Sequence, residues 1–184
     1  MTFGEPGTWS ARVHDLKDVE AILDAFRAHG HTEVRSYAEF CNSQCSPSVY
    51  QIDTARVYSG GTSEEYLGKI DWEGKGLKLE TKLYPTIVGA SGVTGANFPQ
   101  FLKQLEGRTS GISSATATDP VTHTPEGLRK HLLQSLKALN AESLETWYLH
   151  APDRTVPYEV TLKAVDNLYK EGYFKRFGIS NYAA

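Results

Sequence analysis

Short strand-like runs alternate with amphipathic helices along this chain, and three of the runs carry a proton-handling side chain at or near their end. The runs are 51–55 with Asp53, 77–82 with Lys82, and 146–150 with His150. Alternation of strands and helices predicts a parallel α/β sheet with right-handed crossovers. Because the carboxyl ends of parallel strands lie on one edge, we expect these three residues to share a pocket.

The composition is that of an ordinary globular domain. With 184 residues, 40% of them hydrophobic and 22% charged, the chain can bury a core. A net charge of −3 gives no reason to expect nucleic acid or an anionic membrane. No apolar run approaches the ~20 residues of a membrane helix, and the first residues do not form a secretory signal. We therefore expect a cytoplasmic protein, and its oligomeric state stays open.

The two cysteines, Cys41 and Cys45, are too few for a disulfide scaffold or for a structural zinc site. We expect no metal. The histidines outside the three strand ends are read as surface residues; they are His14, His29, His31, His123 and His131.

Four helices are predicted from apolar periodicity and capping residues. The first spans 15–30, capped by Asp15 and ended by Gly30, with Leu16, Val19, Leu23 and Phe26 inward. The second spans 62–70 and opens on a capping box of Thr62 and Glu65. The third spans 124–139, capped by Thr124 before Pro125, with Leu128, Leu132, Leu136 and Leu139 inward. The fourth spans 157–171, ended by Gly172, with Leu162, Val165 and Leu168 inward.

Two segments have no clear period. In residues 86–123, 19 of 38 residues are Gly, Ser, Thr or Ala, and a loop of this length in a compact domain is uncommon. Within it, we expect at most one or two helical turns, at residues 98–105. Residues 34–51 form the other segment. A strand stub at 1–4 and a final strand at 175–180 complete the prediction.

Five segments in order resemble the aldo-keto reductase superfamily, and within it the branch of aflatoxin-aldehyde reductases. They are Asp53-Thr54-Ala55-Arg56-Val57-Tyr58, Ser63-Glu64 with Leu67-Gly68, Glu80-Thr81-Lys82, Trp147-Tyr148-Leu149-His150-Ala151-Pro152-Asp153, and Phe177-Gly178-Ile179-Ser180-Asn181-Tyr182. The resemblance implies a (β/α)8 barrel that uses NADPH to reduce aldehydes and ketones. Residues 1–184 would then form the first five strands and four helices of an incomplete barrel.

The resemblance also implies the role of each residue. Tyr58 would be the proton donor, and Asp53, Lys82 and His150 its partners. Tyr58 and His150 would face the substrate, a small carbonyl compound. Asp53, Ser180 and Asn181 would bind the cofactor, the last two through the nicotinamide carboxamide.

The chemistry of carbonyl reduction explains these residue types. Hydride transfer leaves negative charge on the carbonyl oxygen, so a proton donor must be waiting there. A free tyrosine has a pKa near ~10, and a neighbouring lysine ammonium favours the phenolate and lowers that pKa. Asp53 would hold Lys82 protonated, and His150 would aim the carbonyl oxygen.

The chain departs from the family pattern in three places. Its first strand begins late, and it stops after the fifth strand, where a closed barrel needs eight. Glu33-Val34 and Ile52-Asp53 read as two halves of one family segment, so we hypothesise that the intervening residues 34–51 are a translated intron. Residues 86–123 could contain a second one. Transcripts that join Glu33 directly to the Asp53 region would support this.

Two alternatives stay open. The chain could be an inactive fragment or pseudo-enzyme that acts by associating with a partner, which the missing half of the barrel favours. It could also be another parallel-barrel enzyme, such as a phosphate-binding isomerase, although no glycine-rich phosphate loop follows the last strand.

Overall fold

The computed structural model describes residues 3–8, 11–29, 33–35, 50–86 and 120–182. In chain order its elements are α1 (Leu16–Ala28), β1 (Glu33–Arg35), β2 (Tyr50–Asp53), a 3-10 turn (Tyr58–Gly61), α2 (Thr62–Gly68), β3 (Leu77–Leu83), α3 (Pro125–Ala138), β4 (Leu144–Leu149), α4 (Tyr158–Lys170) and β5 (Phe174–Ile179). Within these residues, no helix combines the length and the apolar character that crossing a membrane requires.

The five strands form one sheet in the order β1-β2-β3-β4-β5, and every neighbouring pair is parallel. The register pairs Asp53 with Glu80, and Lys82 with Tyr148. This confirms the predicted parallel α/β arrangement.

The sheet has two chemically different faces because side chains alternate along each strand. One face carries the apolar residues that bury the core with the helices, and among them are Ile52, Leu79, Leu83, Trp147 and Leu149. The opposite face carries Asp53, Glu80, Lys82, Thr146 and Tyr148. We call this second face the polar face.

The first strand is not where the sequence predicted it. Phe3 forms only an isolated bridge with Val13, and the first strand of the sheet is instead β1, Glu33–Arg35. Val34, Arg35 and Tyr50, for which the sequence predicts irregular structure, are therefore strand residues. A strand of three residues is too short to show periodicity, so only pairing with β2 reveals it.

Helix ends follow their predicted caps in α1 and α3. The Asp15 side chain accepts from the main-chain nitrogen of Lys17 at 2.8 Å, and the Thr124 side chain accepts from Gly127. The inward leucines of α3 are all buried, as predicted; they are Leu128, Leu132, Leu136 and Leu139. In α1, Val19 and Leu23 are buried, and the helix ends at Ala28 with His29 as its C-cap.

The predicted capping box of α2 is wrong. The residue before the helix is Gly61, which has no side chain to act as a cap. The Thr62 hydroxyl donates to the carbonyl of Ser59 and accepts from the main-chain nitrogen of Glu5, so the preceding turn and the N-terminal segment use it. The helix ends at Gly68 rather than near residue 70.

The inward face of α4 is also different from the prediction. Leu162 is 53% exposed, whereas Thr161, Ala164, Val165 and Leu168 are buried. At the start of the helix the buried residue is therefore Thr161 rather than the predicted Leu162, whereas Val165 and Leu168 face inward as predicted. Gly172, at φ +86°, follows the helix in the left-handed conformation expected of a helix-ending glycine.

Two of the histidines that were read as surface residues are buried. His123 lies just before α3 and is 1% exposed, while His131 of α3 is 4% exposed. Residues 98–105, His31, Cys41 and Cys45 lie outside the described residues, as do most of residues 34–51 and 86–123.

Candidate active site

The carboxyl ends of the strands are aligned by main-chain hydrogen bonds that continue just beyond the ladders. Arg56 donates to the carbonyl of Lys82 at 3.0 Å, His150 to that of Leu83 at 2.9 Å, and Ser180 to that of Leu149 at 2.9 Å. These bonds bring the residues that follow β2, β4 and β5 to one edge of the sheet, next to the end of β3.

Lys82 is the centre of the residues gathered at this edge. Its ammonium group contacts the carboxylate of Asp53 and donates to the main-chain carbonyl of Thr54 at 3.1 Å. The side chains of Lys82 and Asp53 are only 11% and 18% exposed. The same ammonium lies 5.5 Å from the ring centroid of Tyr58.

Tyr58 reaches this position through an unusual turn. It opens the 3-10 turn, and the next three residues have left-handed backbones, with φ of 48° at Ser59, 66° at Gly60 and 93° at Gly61. Two glycines accommodate this conformation without strain, whereas Ser59 does not. The turn places the Tyr58 ring over the strand ends rather than beyond them.

His150 completes the group of four. Its ring centroid lies 6.0 Å from that of Tyr58, with the two planes at 84°. Burial and the neighbouring Lys82 charge lower the pKa of His150 to about 4, so the ring is neutral near pH 7. Its Nδ1 atom is buried and has no hydrogen-bond partner among the described residues.

Ser180 and Asn181 lie at the end of β5, beside His150. The side-chain nitrogen of Asn181 donates to the carbonyl of His150 at 2.7 Å and to the Ser180 hydroxyl at 3.1 Å. Asn181 itself has a left-handed backbone, with φ of 57°. All six residues singled out from the sequence are therefore brought to one edge of the sheet, while their roles remain predictions.

Tyr84 is a member of this group that the sequence analysis did not single out. Its ring lies 5.6 Å from that of His150, with the planes at 83°. Tyr84 follows Lys82 by two residues, and this spacing keeps side chains on one face of an extended chain. Spacing alone could therefore have identified it.

A second polar cluster lies one layer below the site, on the polar face. Glu80 accepts from the Thr146 hydroxyl at 2.8 Å and from the Tyr148 phenol at 3.3 Å, and Arg176 lies 3.4 Å from it.

The surroundings of this cluster shift two pKa values. Burial, joined by the Asp53 charge, raises the pKa of Glu80, although the Thr146 hydrogen bond lowers it. Burial and Glu80 raise the pKa of Tyr148 to about 12. Gly178 leaves the space that the Tyr148 ring fills, since a Cβ there would lie 2.4 Å from it.

Comparison with known proteins gives the family. The sequence model that describes the aldo/keto reductase family matches residues 7–184 of this chain. The chain belongs to this family. The aldo-keto reductase pigE of Monascus ruber is 39% identical over 182 residues, which cover 98% of this chain and 41% of the relative. The human aflatoxin B1 aldehyde reductase member 4 is 32% identical, over 92% of this chain and 38% of the relative. The chain thus spans about two fifths of the length of these curated relatives.

Solved aldo-keto reductases share the fold. The thermostable aldo-keto reductase Tm1743 superposes with a TM-score of 0.59 at 20% identity, over 98% of this chain and 47% of that one. The aldo-keto reductase AKR11C1 from Bacillus halodurans superposes with a TM-score of 0.56 at 18% identity, over 90% and 42%. The predicted fold class, the first part of a parallel (β/α)8 barrel, is confirmed, although β1 replaces the first strand that the sequence suggested.

Proposed function

We propose that this site reduces aldehydes and ketones to alcohols with NADPH, and that Tyr58 donates the proton. The observation that carries the proposal is the position of the Lys82 ammonium, which contacts Asp53 and lies 5.5 Å from the Tyr58 ring. An ammonium beside a phenol favours the phenolate, so it eases loss of the phenolic proton. The contact with the Asp53 carboxylate holds the Lys82 ammonium on this side.

The residues at the end of β5 fit a nicotinamide carboxamide. The nitrogen of the Asn181 side chain is held by His150, so this arrangement offers its side-chain oxygen as an acceptor and the Ser180 hydroxyl as a donor or acceptor. When bound, NADPH supplies the hydride that reduces the carbonyl carbon.

His150 is suited to orient the substrate rather than to donate a full proton. A pKa of about 4 leaves its imidazole neutral at pH 7, and a neutral ring carries a single N–H that can donate to a carbonyl oxygen. The Tyr58 ring centroid lies 6.0 Å from that of His150, and this proximity supports a shared contact with one carbonyl oxygen. The carbonyl oxygen would then accept from His150 while Tyr58 transfers its proton.

NADPH consumption with an aromatic or dicarbonyl aldehyde tests the proposal. We expect Tyr58→Phe to lower kcat by about 100-fold or more, with the NADPH dissociation constant from fluorescence titration changed little. Tyr169→Phe is the matched control, because Tyr169 is an exposed tyrosine of α4. Full activity of Tyr58→Phe, or no NADPH binding by the purified chain, would refute the assignment.

Association with a partner without catalysis is the second candidate. Large apolar side chains are exposed along α4 and at the end of β5, including Leu162, Tyr169 and Ile179. Exposed apolar groups that lie close together favour an interface. A monomer by light scattering that shows Tyr58-dependent turnover would exclude this candidate.

A further inference from the structure

Glu64 is a fully buried carboxylate on the reverse side of the sheet from the site. Its side chain is 0% exposed, and it projects from α2 toward the face that the helices cover. One carboxylate oxygen, Oε1, accepts from the Thr81 hydroxyl at 2.7 Å, and the other, Oε2, accepts from Arg56 Nη1 at 3.2 Å. Nothing in the proposed chemistry uses Glu64 directly.

Two of the hydrogen-bond partners of Glu64, Thr81 and Arg56, are joined to Lys82. Thr81 is the residue before it and points to the opposite face of β3. Arg56 donates its main-chain nitrogen to the Lys82 carbonyl at 3.0 Å. Together with the peptide bond between Thr81 and Lys82, these hydrogen bonds form a closed circuit. It runs from Glu64 through Thr81 to Lys82, and back through Arg56 to Glu64. It ties the end of β2 to the end of β3.

A second contact fixes the same two strand ends. The Ser63 hydroxyl lies 3.3 Å from that of Thr54, and Thr54 offers its carbonyl to the Lys82 ammonium at 3.1 Å. The first turn of α2 therefore holds Thr54, which follows Asp53, and Thr81, which precedes Lys82.

Packing alone does not explain a carboxylate at this position. Burial raises the pKa of Glu64, while the Arg56 charge and hydrogen bonds from Thr81 and Ser135 lower it. A buried acid is costly unless its oxygens are hydrogen bonded, and an apolar side chain would fill the same space without that cost. The hydrogen bonds to Arg56 and Thr81 are what an apolar residue could not provide.

We propose that Glu64 is a positioning residue that aligns the ends of β2 and β3 and so holds the Lys82 ammonium against Asp53 and beside Tyr58. Its kinetic consequence rests on the proposed reductase function, whereas its effect on Lys82 does not. Thr81 transmits the alignment through its hydroxyl group.

Substitutions at Thr81 test the circuit without touching the site. Thr81 is 0% exposed, and valine keeps its shape while removing the hydroxyl. We expect Thr81→Val to lower kcat by about tenfold to 100-fold, because small displacements of reacting groups are costly, and to leave KM for NADPH unchanged. Thr81→Ser retains the donor and should restore kcat. Thr161→Val, which removes another buried hydroxyl in α4, serves as the control and should keep the wild-type kcat.

Glu64→Gln separates the two hydrogen bonds. Glutamine keeps an acceptor for Thr81 but loses the charge that faces Arg56, so we expect a smaller fall in kcat than in Thr81→Val. The double variant should be no worse than Thr81→Val by more than a small factor, since residues in one network are not additive. Additive losses would contradict a shared circuit. If Thr81→Val does not fold, Glu64→Gln carries the same readouts.

The reactivity of the Lys82 amine gives a readout that needs no turnover. Mass spectrometry after limited treatment with an amine-acylating reagent would compare Lys82 with Lys78, an exposed lysine of the same strand. We expect acylation of Lys82, but not of Lys78, to accelerate several-fold in Thr81→Val and Glu64→Gln while circular dichroism stays native. An inactive wild type would overturn the reductase proposal and leave this measurement valid. Unchanged Lys82 acylation in both variants would overturn the role of Glu64.

Discussion

The imidazole ring of His150 stands nearly perpendicular to the ring of Tyr84, with 5.6 Å between their centroids and 83° between their planes. The Tyr58 ring meets the same imidazole at 6.0 Å and 84°. Edge-to-face contacts of this kind are favourable and directional. Two tyrosines, one following β2 and the other following β3, therefore restrict the orientation of the histidine.

The first prediction concerns Tyr84. We expect Tyr84→Ala to raise KM for the carbonyl substrate, because the His150 ring loses an aromatic contact worth about 0.5–1.5 kcal/mol. Tyr84→Phe keeps the ring and should behave as wild type. Steady-state kinetics with one aldehyde at saturating NADPH would measure both variants. Equal effects of alanine and phenylalanine would mean that the hydroxyl, not the ring contact, matters.

The second prediction concerns the protonation of His150. Because burial holds its pKa near 4, the ring stays neutral above about pH 5 and contributes no ionisation there. We expect His150→Gln to lower kcat while the shape of the pH–rate profile above about pH 5 is retained. A limb near pH 6.5 that disappears in the variant would contradict the neutral assignment.

The third prediction concerns stability and His123. Burial lowers the pKa of His123 to about 4, against which the charge of Asp153 acts. The unfolded chain takes up this proton first, near pH ~6.5. The stability that the neutral ring contributes is therefore complete above that pH, is lost as the pH falls toward 4, and changes no further below it.

His123→Gln isolates that contribution. Urea unfolding at several pH values should show that wild type loses up to about 3 kcal/mol more than the variant between neutral pH and pH 4. The main-chain hydrogen bond from residue 123 to Asp153, 2.9 Å in length, persists in the variant. Parallel stability curves for the two proteins would exclude a buried neutral histidine.

The fourth prediction concerns the contact between α2 and α3. A Cβ atom added to Gly68 would lie 2.1 Å from the carbonyl oxygen of Ala138. Alanine normally stabilises a helix relative to glycine, but here we expect Gly68→Ala to lower the free energy of unfolding by about 1–3 kcal/mol because of overpacking. Lys69→Ala, at the next and exposed position, should change it little. Stabilisation by Gly68→Ala in urea unfolding would contradict this close approach.

The sequence predicted the strand ends better than the helix faces. Lys82 and His150 end strongly patterned strands, and parallel pairing then brings them together without further information. Leu162 was misplaced because an apolar side chain near the start of a helix fits two adjacent stripes, and only packing on β5 decides between them.

Contacts between distant segments were beyond the sequence. The Thr62 and Glu65 spacing fits a capping box, yet Thr62 is used by Glu5, 57 residues away. The buried state of His123 likewise depends on Asp153, which lies 30 residues further along the chain. Local patterns contain no signal for such partners.

Thr86 and Val121 are hydrogen bonded to each other twice, through the nitrogen of Thr86 at 3.1 Å and through that of Val121 at 2.9 Å. These two bonds hold the residues before and after segment 87–119 side by side, close to the end of β3. The entropy of closing a loop grows only with the logarithm of its length. The number of residues between Thr86 and Val121 can therefore change during evolution at a small cost in the free energy of folding. Diversity among related enzymes should accumulate there, beside the strand end that carries Lys82.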